Sequence, residues 1–117
     1  MQDYLQITFR GVDQSDAIES RIRTKVAWLE RFGQNITSCR VTVDAPHQHQ
    51  NKGGLYLVSI DLHVAGAEIV VNKEHRNDHA HEDVNAAIRD AFDAAARQLE
   101  DHARKQRGDV KRHDAQL

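Results

Sequence analysis

Apolar and polar residues alternate over the first segment, with Leu5, Ile7 and Phe9 set against Gln6, Thr8 and Arg10. A period of two puts one set on each side of an extended chain, so the segment predicts a half-buried strand. Asp13-Gln14-Ser15-Asp16 then supplies residues that cap helix N-termini. Behind it Ile18, Ile22, Val26 and Leu29 recur at spacings of four, four and three, which predicts an amphipathic helix of about five turns ending near Gly33. Cys39, Val41 and Val43 alternate with Ser38, Arg40, Thr42 and Asp44, a second strand. The run from Ala45 to Gly54 contains Pro46, His47, His49, Asn51, Lys52 and two glycines, and reads as an exposed hairpin loop.

A third strand places Tyr56, Val58, Ile60, Leu62 and Val64 on one face. Gly66 marks a tight turn, and Glu68 to Asn72 forms a fourth strand that completes an antiparallel meander. Lys73 to His79 reads as a polar connection. Val84, Ala87, Ile88, Ala91, Phe92, Ala95, Leu99 and Ala103 form a continuous stripe at helical spacing, predicting a helix from about Ala80 to Gln106 that Gly108 ends. The order β-α-β-β-β-α predicts an α+β fold, a four-stranded sheet with both helices packed on one face. Residues 1–107 read as one domain and 108–117 as a polar, flexible tail.

The 117 residues suffice for a single core. One cysteine, Cys39, excludes an internal disulfide and fits a reducing compartment; its place among Val41 and Val43 predicts a packed thiol. The N-terminus lacks the pattern of a secretory signal, and no apolar run approaches the roughly 18 residues of a membrane helix. A cytoplasmic protein with no membrane partner is expected. The net charge of −2 is unlike that of most nucleic-acid binders. Its distribution changes the picture. From Arg97 to Arg112, Arg97, Arg104, Lys105, Arg107, Lys111 and Arg112 face only Glu100, Asp101 and Asp109.

Candidate chemistry is sparse. No Gly-rich phosphate loop, nucleophile elbow or metal-hydrolase motif is present, so no catalytic residue and no cofactor are expected. His47 and His49, and His79 and His81, form two His-x-His pairs. Such a pair ligates zinc or copper when a strand holds it, but both fall in predicted loops or at a helix start, and no metal set is assigned. His81, Glu82 and Asp83 suit the positive end of the last helix. The cations on the helices have two readings. A solvated face is one, in which Asp93 pairs with Arg97 and Glu100 with Arg104 at i,i+4. A phosphate-binding surface is the other. Trp28 is either a stacking platform or a half-buried rim residue.

Three blocks resemble the hibernation-promoting factor and ribosome-associated inhibitor family, in its short form of ribosomal subunit interface proteins. They are Ala17-Ile18 leading to Lys25-Val26-Ala27-Trp28-Leu29-Glu30-Arg31-Phe32; His81-Glu82-Asp83 followed by Ala87-Ile88; and Arg97-Gln98-Leu99. The chain departs from the family pattern at Trp28, Asn85 and Ala94. The resemblance implies a fold similar to double-stranded-RNA-binding domains. It also implies binding to rRNA in the mRNA and tRNA channel of the small ribosomal subunit, inhibition of translation in resting or stressed cells, and an effect on ribosome pairing. Carried onto this chain, it assigns RNA contact to Arg21, Lys25, Trp28, Arg31, Arg89, Arg97, Arg104, Lys105 and Arg107. The partners expected are the small subunit and its rRNA, with no DNA and a monomer when free. Leu55 and Leu57 on the third strand are a weak hint of self-association. A general double-stranded-RNA binder and a histidine-rich metal or protein-interaction module are the competing readings.

Overall fold

The computed structural model describes residues 4–32, 36–45, 55–76 and 80–115, with side chains at 4–32, 36–45, 56–73 and 84–105. Its elements follow the order β1 (Leu5–Arg10), α1 (Asp16–Leu29), β2 (Ser38–Asp44), β3 (Leu55–Val64), β4 (Ala67–Arg76) and α2 (Ala80–Ala115). The strands form one sheet in the order β1-β2-β3-β4, as expected for a β-α-β-β-β-α protein. β1 and β2 are parallel, joined by the crossover helix α1, and β2, β3 and β4 form an antiparallel meander. The loop predicted over 45–54 lies almost wholly outside the described residues.

One face of the sheet is dry. Cys39, Val41, Val43, Tyr56, Val58, Ile60, Leu62, Ile69 and Val71 point into the core. α2 lies across β3 and β4, and α1 packs beside it. The predicted stripe of α2 is buried from Val84 to Leu99, with Phe92 the largest fully buried side chain. Ala87, Ala91 and Ala95 are fully buried within it, so the helix approaches the sheet closely. α1 adds Ile22, Val26 and Leu29. The other face carries Thr42, Ser59, Asp61, His63 and Glu68 and is open, with Val70 its exposed large apolar residue. Leu57 there is half-buried, and the side chain of Leu55 lies outside the described residues.

Local chemistry explains the boundaries. Ser15 caps α1, its hydroxyl accepting from the Ile18 amide at 3.3 Å. The helix is about four turns rather than five. After Leu29 the amides of Arg31 and Phe32 donate three residues back, to Trp28 and Leu29, so the last turn tightens before Gly33 is reached. β4 runs through Arg76, four residues beyond its predicted end, pairing Lys73, Glu74, His75 and Arg76 with Val58, Leu57, Tyr56 and Leu55. Polar residues suit an edge strand, so composition hid the pairing. α2 also continues through Gly108 to Ala115, where a tail was expected. A lone glycine costs a helix about 1 kcal/mol, and the residues after it contain no proline to stop it.

Gly11 closes the end of the β1–β2 pair. It adopts φ +66°, and a β-carbon there would stand 2.6 Å from the Ala45 carbonyl oxygen. The Ala45 amide donates to Arg10 at 2.9 Å, which holds that carbonyl in place. Gly11→Ala therefore combines left-handed strain with a backbone clash and should cost about 2–4 kcal/mol in chemical denaturation.

Cys39 is fully buried, and burial, with a smaller effect from the Asp61 charge, pushes its thiol up to about 12. The unfolded thiol releases its proton near 9.0, so between these values unfolding releases a proton and stability falls as pH rises. Below that window the burial contributes in full. Tyr4 is also raised, by burial and by its hydrogen bond to Glu30. It is common to the wild type and Cys39→Ala, so the difference between their denaturation curves from pH 8 to 11 should isolate the thiol: the wild type loses stability more steeply.

Candidate nucleic-acid interface

Both helices turn charged faces outward because their apolar faces are committed to the core. On α1, Arg21, Lys25, Trp28 and Phe32 follow at spacings of four, three and four, which stacks them along one side. Arg21 is exposed and Lys25 half-buried. The Lys25 ammonium lies 5.2 Å from the centre of the Trp28 ring, a cation–π contact. Trp28 meets Phe32 edge to face at 4.9 Å between centroids. Both rings pack partly against the core, which leaves Trp28 half-buried with part of its surface open.

The folded chain also brings the two helices' cations together. Arg31, just past α1, and Arg104 of α2 line one groove with Phe32, Glu100 and Ala103. Arg31 and Arg104 are 73 positions apart in the chain, and their proximity follows from α1 packing alongside α2. Arg104 pairs with Asp101 at 2.8 Å, at i,i+3, rather than with Glu100. Arg89 lies 3.4 Å from Asp90. These exposed pairs are weak, because water screens them and long side chains lose freedom in making them.

Among the described residues, Arg21, Arg31, Arg97 and Lys105 have no carboxylate within ion-pair distance, and Arg97 does not pair with Asp93. Their guanidinium and ammonium groups face water. Arg107 belongs to α2, but its side chain lies outside the described residues. The candidates whose side chains are described thus divide into an α1 row, an α2 row and the Arg31–Arg104 groove that joins them.

Two further cations, Arg10 and Arg40, stand exposed on the open sheet face, where strand alternation predicts them. The loop histidines His47, His49 and His79 lie outside the described residues, as does the side chain of His81. Among the described residues one cluster has the make-up of a metal site, Asp61, His63 and Glu68. No sequence motif marks it, because its members are not adjacent in the chain.

The chain matches the family model described as sigma 54 modulation protein / S30EA ribosomal protein over residues 5–107. It is 35% identical over 104 residues to the ribosome hibernation promoting factor of Azotobacter vinelandii, spanning 87% of this chain and 86% of that protein. The fold is similar to the N-terminal domain of Thermus thermophilus Protein Y, with a TM-score of 0.67 at 20% identity over 87% of this chain and 99% of that one. A ribosomal subunit interface protein from Coxiella burnetii superposes with a TM-score of 0.58 at 19% identity, covering 85% and 96%. Among the described residues, no helix is long and apolar enough to cross a membrane. With its matched region covering nearly every element of the fold, the chain belongs to the sigma 54 modulation protein / S30EA ribosomal protein family, a family of ribosome-associated, non-enzymatic proteins.

Proposed function

We propose that this protein is a cytoplasmic ribosome hibernation factor. It binds rRNA in the mRNA and tRNA channel of the small ribosomal subunit, inhibits translation in resting or stressed cells, and modulates ribosome pairing. The observation that carries the reading is the 35% identity to a ribosome hibernation promoting factor along most of both chains.

The surface of the two helices supports it. Phosphate neutralisation drives RNA affinity, and each contact releases counterions regardless of sequence. Arg21, Arg31, Arg97 and Lys105 are exposed and unpaired among the described residues, and the Asp101–Arg104 and Asp90–Arg89 contacts are exposed enough to exchange for phosphate. Arginine adds bidentate hydrogen bonds to phosphate and stacking on bases. With a net charge of −2, the chain relies on where its cations stand rather than on their excess. Asp93, Glu100 and Asp101 interleave with them on α2, which keeps the helix from binding polyanions indiscriminately. Trp28 and Phe32 form the apolar end of the α1 row, placing a π-face beside the Lys25 cation.

Co-sedimentation with purified small ribosomal subunits over a salt series tests this. Saturable binding should weaken steeply with salt. The triple variant Lys25→Ala, Arg97→Ala, Arg104→Ala should lower the slope of log affinity against log salt by about 2–3, as loss of three phosphate contacts requires. No pelleting at low salt would overturn the ribosome reading. Equal binding to any long RNA duplex would replace it with a general double-stranded-RNA binder.

A further inference from the structure

On the open side of the sheet, away from both helices, three ligating side chains converge. Asp61 and His63 stand two residues apart on β3, so alternation directs both to that side. Glu68 on β4 is the register partner of His63. The hairpin turn between them, Ala65-Gly66, is short and carries Gly66 at φ 84°. α2 steadies the same turn, because His102 Nε2 donates to the Ala65 carbonyl at 3.3 Å. His63 Nε2 lies 3.3 Å from Asp61 Oδ1 and 3.4 Å from Glu68 Oε2. All three ligating atoms fall within 4.8 Å of one another.

This arrangement leaves one atom unanswered. Asp61 Oδ1 is shielded from solvent and accepts no hydrogen bond, although its side chain as a whole is 38% exposed. A shielded oxygen without a partner is rare in a native fold. His63 Nε2 is near it but not aligned to donate, and it carries at most one proton for two carboxylates. Arg40, the register partner of Asp61, makes no ion pair with it among the described residues. A small cation would satisfy all three groups at once. Zinc bonds to nitrogen and oxygen are about 2.0–2.1 Å, and a tetrahedral centre with such bonds spaces its ligand atoms roughly 3.3–3.4 Å apart. Both contacts of His63 have that length.

We propose that Asp61, His63 and Glu68 form a binding site for a divalent transition metal of the zinc class. One imidazole with two carboxylates favours such an ion over calcium or magnesium, which prefer oxygen throughout. Three protein ligands leave a fourth position to water. The site lies on the opposite side of the sheet from the cationic helices, so it stands or falls independently of ribosome binding.

Calorimetric titration of the full chain with Zn2+ tests the site. The background protein carries Gln in place of His47, His49, His79 and His81, which removes the histidine pairs as competitors. One ion per chain should bind, and Asp61→Asn and His63→Gln should each weaken binding more than about tenfold. Co2+ added to the background protein should show the visible bands of a four-coordinate centre. Those bands decide the question should either variant lose its circular-dichroism spectrum. Absence of saturable Zn2+ binding, or binding that survives both substitutions in folded protein, would overturn the proposal.

Discussion

The dry layer between the sheet and its helices sets the position of every other group, because each helix has one apolar stripe and that stripe must face inward. Once Ile22, Val26 and Leu29 of α1 and the Val84-to-Leu99 stripe of α2 are buried, the rotation of each helix about its axis is settled. Arg21 and Lys25, and Arg89, Arg97 and Arg104, then lie on the outer sides of the helices, where only exposed ion pairs and the Lys25–Trp28 contact add to their placement. The alanines of α2 matter for the same reason. Their small side chains bring the backbone down onto β3 and β4, and a core packed at crystal-like density holds the outer side chains in a fixed frame.

The electrostatics follow from that frame. Positive groups form short rows with acids between them, so the field is local rather than global. The surface ion pairs at Arg89 and Arg104 are bridges between exposed chains, which water already weakens. Breaking either pair would therefore cost little.

Much of this was legible in the chain itself. Periods of two and of about 3.6 located all six elements, and the resemblance carried by Lys25 to Phe32 and by Arg97-Gln98-Leu99 agrees with the family to which the chain belongs. What escaped has physical causes. The extension of β4 through Arg76 was hidden because an edge strand tolerates charge, and the passage of α2 through Gly108 because a single glycine weakens a helix without stopping it. The Arg31–Arg104 groove joins residues from different helices, so it required the packing of α1 on α2. Asp61, His63 and Glu68 escaped for a different reason. The three are neither adjacent nor part of a motif, and only the register of β3 on β4 across the two-residue turn sets Glu68 opposite His63.

The length of α2 has a mechanical consequence. Its 36 residues span about 54 Å, and among the described residues its buried stripe ends at Leu99, so roughly 24 Å of helix, to Ala115, overhangs that stripe. The longest extent of the molecule is accordingly 62 Å, against 28 and 17 Å in the other directions. The overhang has no apolar stripe to anchor it, and its helicity is therefore held by propensity and by whatever charge surrounds it. Such a segment behaves as a cantilever: it can be lengthened, trimmed or recharged over evolutionary time while the load-carrying part of the domain folds unchanged.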